Sequence, residues 1–161
     1  MDFYYINDKY INYLKQFDDK VAKNKNESRP YIGVVLDVNG IQYFAPLTSP
    51  KPKHLHMKNS LDFRKIGGGR FGAINFNSMI PVVSSALIPL EINSIDDFGY
   101  RRLMQNQFFE VMNDEANIKK TASNLRKMLL TEDVHLSEQM KVVKARCCNL
   151  KLLEEKYLLY K

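Results

Sequence analysis

The chain has 161 residues, 45% hydrophobic and 26% charged, with 24 Lys and Arg against 18 Asp and Glu for a net charge of +6. That is ordinary globular composition, long enough for one domain with a real core, and its basic balance favours a polyanionic partner while excluding disorder. Adjacent Cys147 and Cys148 form no disulfide framework and no zinc spacing, and no apolar run approaches the ~18 residues of a membrane span.

MDFYYINDKY at the start reads as neither signal peptide nor transit peptide, so a soluble cytoplasmic protein with no membrane partner is expected. Phe3 to Ile6 predicts a short aromatic strand. Asp8 can cap a helix that carries Tyr10, Ile11, Leu14 and Phe17 at helical spacing. The polar run Lys23 to Ser28 predicts a loop with solvated charges.

Tyr31 to Leu36 is apolar nearly throughout, as in a strand buried on both faces. Asn39-Gly40 is a strong hairpin signal, and Ile41 to Leu47 returns antiparallel. The returning strand therefore ends near the start of the first, which brings Arg29 and Tyr31 close to Thr48 and Ser49. His54 to Gly72 is polar and irregular, and Gly67-Gly68-Gly69-Arg70 reads by default as a mobile loop. A phosphate cradle there lacks the lysine-serine ending and the preceding strand of known nucleotide motifs.

Phe71 to Phe76 and Met79 to Val83 predict two more strands, with Pro81 marking an edge or bulge, and Ala86 to Leu90 offers another. Helices follow: one from Ser94 or Asp96 to Val111, then Asp114 to Leu130, Leu136 to Cys147 and Leu150 to Leu159. Their Met and Phe residues read as core, not as ligands. The fold class is α+β: one domain over residues 1–161, an antiparallel sheet from the first half and helices mostly from the second.

The chemistry concentrates in PLTSPKPKH, Pro46 to His54. Pro50 and Pro52 stiffen the segment, and each lacks an N–H donor. Thr48, Ser49, Lys51, Lys53 and His54 bring hydroxyls, ammoniums and an imidazole to a strand end, the groups that hold a phosphate. Its alternative is a solvated turn, because turns are commonly built from Ser, Thr and Pro. His54 and His56 have no carboxylate cluster beside them, so no metal is expected; no nucleophile-elbow serine is present. A ribonuclease needing no cofactor fits better, since RNA carries its own nucleophile, the 2′-hydroxyl, and the protein has only to align it and stabilise charge. The 9 Tyr and 9 Phe supply stacking surfaces for unpaired bases, although most such rings serve the core.

FYYINDKYINYLKQFDDKV, YIGVVL, PLTSPK, INFNSMIPV, YRRLMQNQFF and LLEEKY together resemble the ToxN/AbiQ family, toxins of type III toxin–antitoxin systems. The resemblance spans nearly the whole chain, and PLTSPK is its most specific piece. It implies a twisted antiparallel sheet similar to the MazF and Kid ribonucleases. It implies a sequence-selective, metal-independent endoribonuclease that cuts cellular or phage RNA and processes its own repetitive antitoxin RNA. The bound RNA pseudoknot repeats would inhibit the toxin in a closed toxin–RNA hetero-oligomer, and the system would serve phage abortive infection or plasmid maintenance. By the same resemblance, Thr48, Ser49, Lys51 and Arg29 take the catalytic positions and Tyr10 a matching tyrosine position. Tyr31, Lys53, His54, His56 and Arg70 complete the expected RNA contacts with Tyr10. The alternatives are a non-catalytic RNA-binding protein and, on the triple glycine alone, an enzyme acting on a phosphate metabolite.

Overall fold

The computed structural model describes residues 1–161, the side chain of Val34 excepted. Its centre is a hairpin: β2 (Tyr31–Val38) and β3 (Ile41–Thr48) pair antiparallel, with Ile32 opposite Ala45 and Val38 opposite Ile41. Asn39 and Gly40 turn the chain with φ of 54° and 81°, the left-handed pair that matches the twist of hairpin strands. The register shifts between Gly33 and Leu36, an irregularity that the sequence did not announce.

Further strands extend the hairpin on both sides. β1 (Asp2–Ile6) pairs with β2 and with β7 (Leu87–Pro89); β5 (Ala73–Asn75) pairs with β3 and with β4 (Phe63–Lys65); β6 (Ile80–Pro81) adds to β3. All these pairings are antiparallel, in the order β4-β5-β3-β2-β1-β7 with β6 off that path. The strands expected over Phe71 to Phe76 and Met79 to Val83 are shorter than their apolar runs. Gly72 takes φ of +94° and Phe76 begins a 3₁₀ turn, which interrupts the ladder on either side of β5.

Among the described residues there are five α-helices. α1 (Asp8–Lys15) is capped by Asn7, whose Oδ1 accepts the Tyr10 N–H at 2.8 Å. The cap therefore sits one residue before Asp8, and Phe17 lies beyond the helix end. α2 (Phe98–Asn113) starts at Asp97, whose carboxylate accepts the Tyr100 N–H at 2.6 Å. α3 (Glu115–Leu129) packs on β2, and α4 (Glu138–Arg146) and α5 (Leu150–Tyr157) complete the helical layer. Tyr10, Ile32, Phe44, Ile80, Ala122 and Leu153, all essentially inaccessible, join the helices to the sheet in one core.

Two polar clusters lock that core. Arg146 grips the buried Asp62 carboxylate with two bonds of 2.6 and 2.7 Å. Glu154, from LLEEKY, accepts from Arg126 at 2.9 Å and from the Tyr43 hydroxyl. Both join groups far apart in sequence. Among the described residues no helix is long and apolar enough to cross a membrane.

Candidate RNA-cleavage site

The hairpin ends where the chemistry lies. The Leu47 N–H donates to the Pro30 carbonyl at 2.9 Å, so the residue entering β2 and the residues leaving β3 stand side by side. Arg29, Thr48 and Ser49 line one open cavity of about 280 Å³. Lys25 and Ser28 complete one wall, and Tyr5 from β1 and Tyr100 from α2 form others. Burial, with the neighbouring Tyr5 phenol, pushes the Tyr100 hydroxyl up to about 12. It remains a neutral hydrogen-bonding group at ordinary pH.

A tight loop presents Arg29. Lys25, Asn26 and Glu27 are consecutive left-handed residues, with φ of 51°, 55° and 63°. Each such non-glycine residue costs about 1 kcal/mol, so the surroundings must hold the loop in place. Asn24 does so: it is buried, and its Nδ2 donates to the Ile6 carbonyl and to Asp8 Oδ1, both at 2.7 Å. The Glu27 carboxylate accepts the Asp8 N–H at 2.8 Å. Arg29 N–H closes the turn on the Asn24 carbonyl, and its Nε donates to the Lys23 carbonyl at 2.6 Å. One charge of the run Lys23 to Ser28, that of Glu27, is thus structural, not merely solvated.

The triple glycine supports the other wall. A Cβ at Gly72 would lie 2.0 Å from the Thr48 carbonyl oxygen, and one at Gly69 would lie 2.4 Å from the His54 carbonyl oxygen. Only glycine admits that backbone approach, and both residues have positive φ. Gly69, at the end of the triple glycine, and Gly72 beyond it thus form a packed buttress against the hydroxyl loop, while Gly68 stays exposed.

Of the other sequence candidates, Lys51 and Lys53 are exposed on the loop beyond the cavity lining. His54 is buried, and its Nδ1 accepts the Lys51 N–H at 3.1 Å. Burial first, then the Lys53 and Lys51 charges, lower its pKa, so the ring is held neutral. His56 and Arg70 are exposed, and Arg70 lies over the Phe71 ring on the glycine buttress. The structure does not bring Tyr10 to the cavity: it is inaccessible, and its hydroxyl donates to the Pro81 carbonyl at 2.6 Å. Tyr31 is also fully buried, and its hydroxyl finds no partner among the described residues. Among the described residues no three His, Cys, Asp or Glu stand close enough to hold a metal.

A smaller, partly open pocket of about 20 Å³ adjoins the cavity, lined by Thr48, Ser49, Tyr100 and Gln107 among apolar residues. Tyr5, Lys25, Ser28, Tyr100 and Gln107 were not singled out from the sequence. Tyr100 and Gln107 do both fall within YRRLMQNQFF, the stretch whose polar residues sit among apolar helix positions.

The family model for toxin ToxN of type III toxin–antitoxin systems matches residues 2–158. Endoribonuclease ToxN of Pectobacterium atrosepticum is 32% identical over 167 residues, covering 98% of this chain and 92% of the relative. A solved structure described as showing selective toxin inhibition by a non-coding RNA pseudoknot superposes with a TM-score of 0.87, at 32% identity over 99% of this chain and 96% of the other. The structure of AbiQ, described as a lactococcal anti-phage endoribonuclease of the type III toxin–antitoxin system, gives 0.80 at 29% identity, over 99% of this chain and 96% of the other. With a model match over almost its full length and such a relative, the chain belongs to the ToxN family of type III toxin–antitoxin toxins.

Proposed function

We propose that this protein is a sequence-selective endoribonuclease toxin that works without a metal ion. The convergence of Arg29, Thr48 and Ser49 on one cavity carries the reading. The cavity is rich in donors and cations and presents no carboxylate pair, so its strength is holding a phosphate whose negative charge grows. The substrate's 2′-oxygen attacks the adjacent phosphorus and the bond to the 5′-oxygen breaks. The 2′-hydroxyl loses its proton, and the departing 5′-oxygen gains one. Thr48 and Ser49 hydrogen-bond the phosphate oxygens, and Arg29 stabilises the developing charge, with Lys51 on the adjoining loop supplying a second cation. One product ends in a 2′,3′-cyclic phosphate and the other begins with a 5′-hydroxyl.

The same surface takes the toxin's own repetitive antitoxin RNA, cuts it into repeats and is blocked by the folded pseudoknot in a closed toxin–RNA assembly in the cytoplasm. Lys53 and Arg70 offer exposed cations, and His56 an exposed imidazole, near the loop for that RNA. The antiparallel sheet centred on β2 and β3 supports a core similar to the MazF and Kid ribonucleases. The relation to an anti-phage endoribonuclease supports a role in abortive infection.

The test is incubation of the purified protein with the repeat RNA in EDTA, with the ends of the products identified. Cleavage should persist, and a substrate with 2′-deoxyribose at the cut position should stay intact. Products bearing 5′-phosphate would overturn the mechanism. Tight binding without scission would leave an RNA-binding protein instead of an enzyme.

A further inference from the structure

Gln107 is a polar residue where α2 otherwise buries Met104 and Val111. It is 2% exposed. Its Nε2 donates to the Phe71 carbonyl at 2.8 Å, which fixes the direction of the amide. Oε1 therefore turns the other way, and it meets no protein donor among the described residues. A partly open pocket of about 20 Å³ is lined by Gln107, Thr48, Ser49 and Tyr100, with apolar residues completing it. That is room for one water molecule, and a buried water needs two to four polar partners. Gln107 Oε1, which lacks a protein donor, and the hydroxyls of Thr48 and Ser49 belong to the residues that line it. The same side chain also braces the glycine buttress, because Phe71 precedes Gly72, whose backbone lies against the Thr48 carbonyl.

The geometry points to Gln107 as a positioning residue that holds one buried water against the hydroxyls of Thr48 and Ser49. The water gives one hydrogen to Gln107 Oε1 and the other to a site hydroxyl oxygen. That hydroxyl then keeps its own hydrogen for the phosphate in the larger cavity. Gln107 never touches the RNA. It sets the direction of a hydrogen-bond chain that ends on the scissile group. This role rests on the ribonuclease reading of the cavity.

Two measurements test it. The first is the initial rate of cleavage of a long 5′-labelled transcript by wild type, Gln107→Met and Gln107→Glu, with thermal melts to establish folding. Gln107→Met keeps the shape and removes both polar atoms. Its kcat should fall roughly tenfold or more with KM unchanged, since misplacing reacting groups slows chemistry without weakening ground-state binding. In Gln107→Glu a neutral carboxyl can donate to the Phe71 carbonyl and accept from the water, as the amide does. Burial favours that neutral form. The rate of Gln107→Glu relative to wild type should therefore be highest at low pH and decline as pH rises, and if Gln107→Met does not fold this profile decides the question. A kcat for Gln107→Met within about twofold of wild type, a change in KM alone, or a Gln107→Glu ratio flat with pH would overturn the role. The second measurement is a high-resolution crystal structure of the wild-type protein. One ordered water should lie within about 3 Å of Gln107 Oε1 and of the Thr48 or Ser49 hydroxyl oxygen. A dry pocket there overturns the proposal however active the protein is. If the wild type cleaves no RNA, the ribonuclease reading fails by itself, and the crystal structure still decides the water site.

Discussion

His54 accepts the backbone N–H of Lys51 through Nδ1, 3.1 Å away, from inside the loop that Lys51 caps. The imidazole thus sits under the site, holding the segment that carries the lysine. Protonation would remove that acceptor and place a buried charge beside Lys51 and Lys53.

A pH dependence follows. The folded His54 pKa lies below its ordinary value, through burial first and the two lysines second. The unfolded chain therefore binds the extra proton at higher pH than the folded one. The contribution of His54 to stability is full above about pH 6.5, and it declines as pH falls from there through the folded pKa. Melting temperatures of wild type and His54→Asn between about pH 7.5 and pH 5, from roughly one unit above the ordinary histidine pKa to roughly 1.5 units below it, measure it. Asn supplies an acceptor that does not titrate. The wild type should lose stability faster on acidification; parallel curves would remove His54 as the cause.

Ser49→Ala and Arg29→Ala should leave the protein folded and cut its activity. The Ser49 side chain is exposed, so its loss costs little packing. Losing one preorganised donor slows related chemistry by about 10²-fold or more. Rates of RNA cleavage, with circular dichroism to verify folding, give the result. Wild-type rates in Ser49→Ala would remove the serine from the mechanism.

Salt should weaken RNA binding steeply. Each phosphate neutralised on a single strand contributes a slope of roughly −0.7 in log affinity against log salt. Titration of a fluorescent RNA at several ionic strengths gives that slope for wild type, and replacing Arg29 by Ala should make it shallower by about one contact. An unchanged slope would place Arg29 away from the phosphate.

Asp62 is 1% exposed and depends on Arg146. Burial works against its charge, but the Arg146 hydrogen bonds and charge, with the Ser60 hydroxyl, outweigh it and hold the carboxyl below its usual range. Arg146→Ala strands a buried carboxylate and should cost about 3 kcal/mol. Chemical denaturation would show this, and a cost within about 0.5 kcal/mol would mean that water reaches Asp62 unaided.

Cys147 and Cys148 are buried, and burial pushes the Cys147 thiol up to about 12 and the Cys148 thiol higher still. Thiolate is the reactive form, so both should resist alkylation in the native protein and react once it unfolds. Mass spectrometry after iodoacetamide treatment reads this; rapid native labelling of either would contradict the packing.

The proximity of Arg29 to Thr48 and Ser49 was legible, because Asn39-Gly40 fixes a two-residue turn and the returning strand ends near where the first begins; the exact register was not, since counting from the turn sets Tyr31 opposite Thr48, whereas the irregularity between Gly33 and Leu36 sets it opposite Pro46. The placement of Tyr100 and Gln107 was not legible either. Both belong to α2, and only the packing of that helix over the hairpin end points them at the loop. β4 escaped notice because Phe63–Lys65 is short and lies in a polar stretch; its pairing with β5 is tertiary. The left-handed run Lys25 to Glu27 also left no mark, since none of the three is glycine. The tyrosines at 10 and 31 show the converse. An aromatic side chain carries the same letter whether it stacks on a base or fills a core, and burial decides between the two.

The cavity draws its walls from residues as far apart as Tyr5 and Tyr100, and the pocket beside it extends to Gln107. Chains emerge from the ribosome N-terminus first. A nascent chain holding only the hairpin has Arg29, Thr48 and Ser49 but lacks α2, and β1 lacks β7 as a neighbour. The site is therefore assembled only late in synthesis. An enzyme that cuts RNA is read from RNA, and a nascent chain short of α2 carries Arg29, Thr48 and Ser49 without the walls that Tyr100 and Gln107 supply.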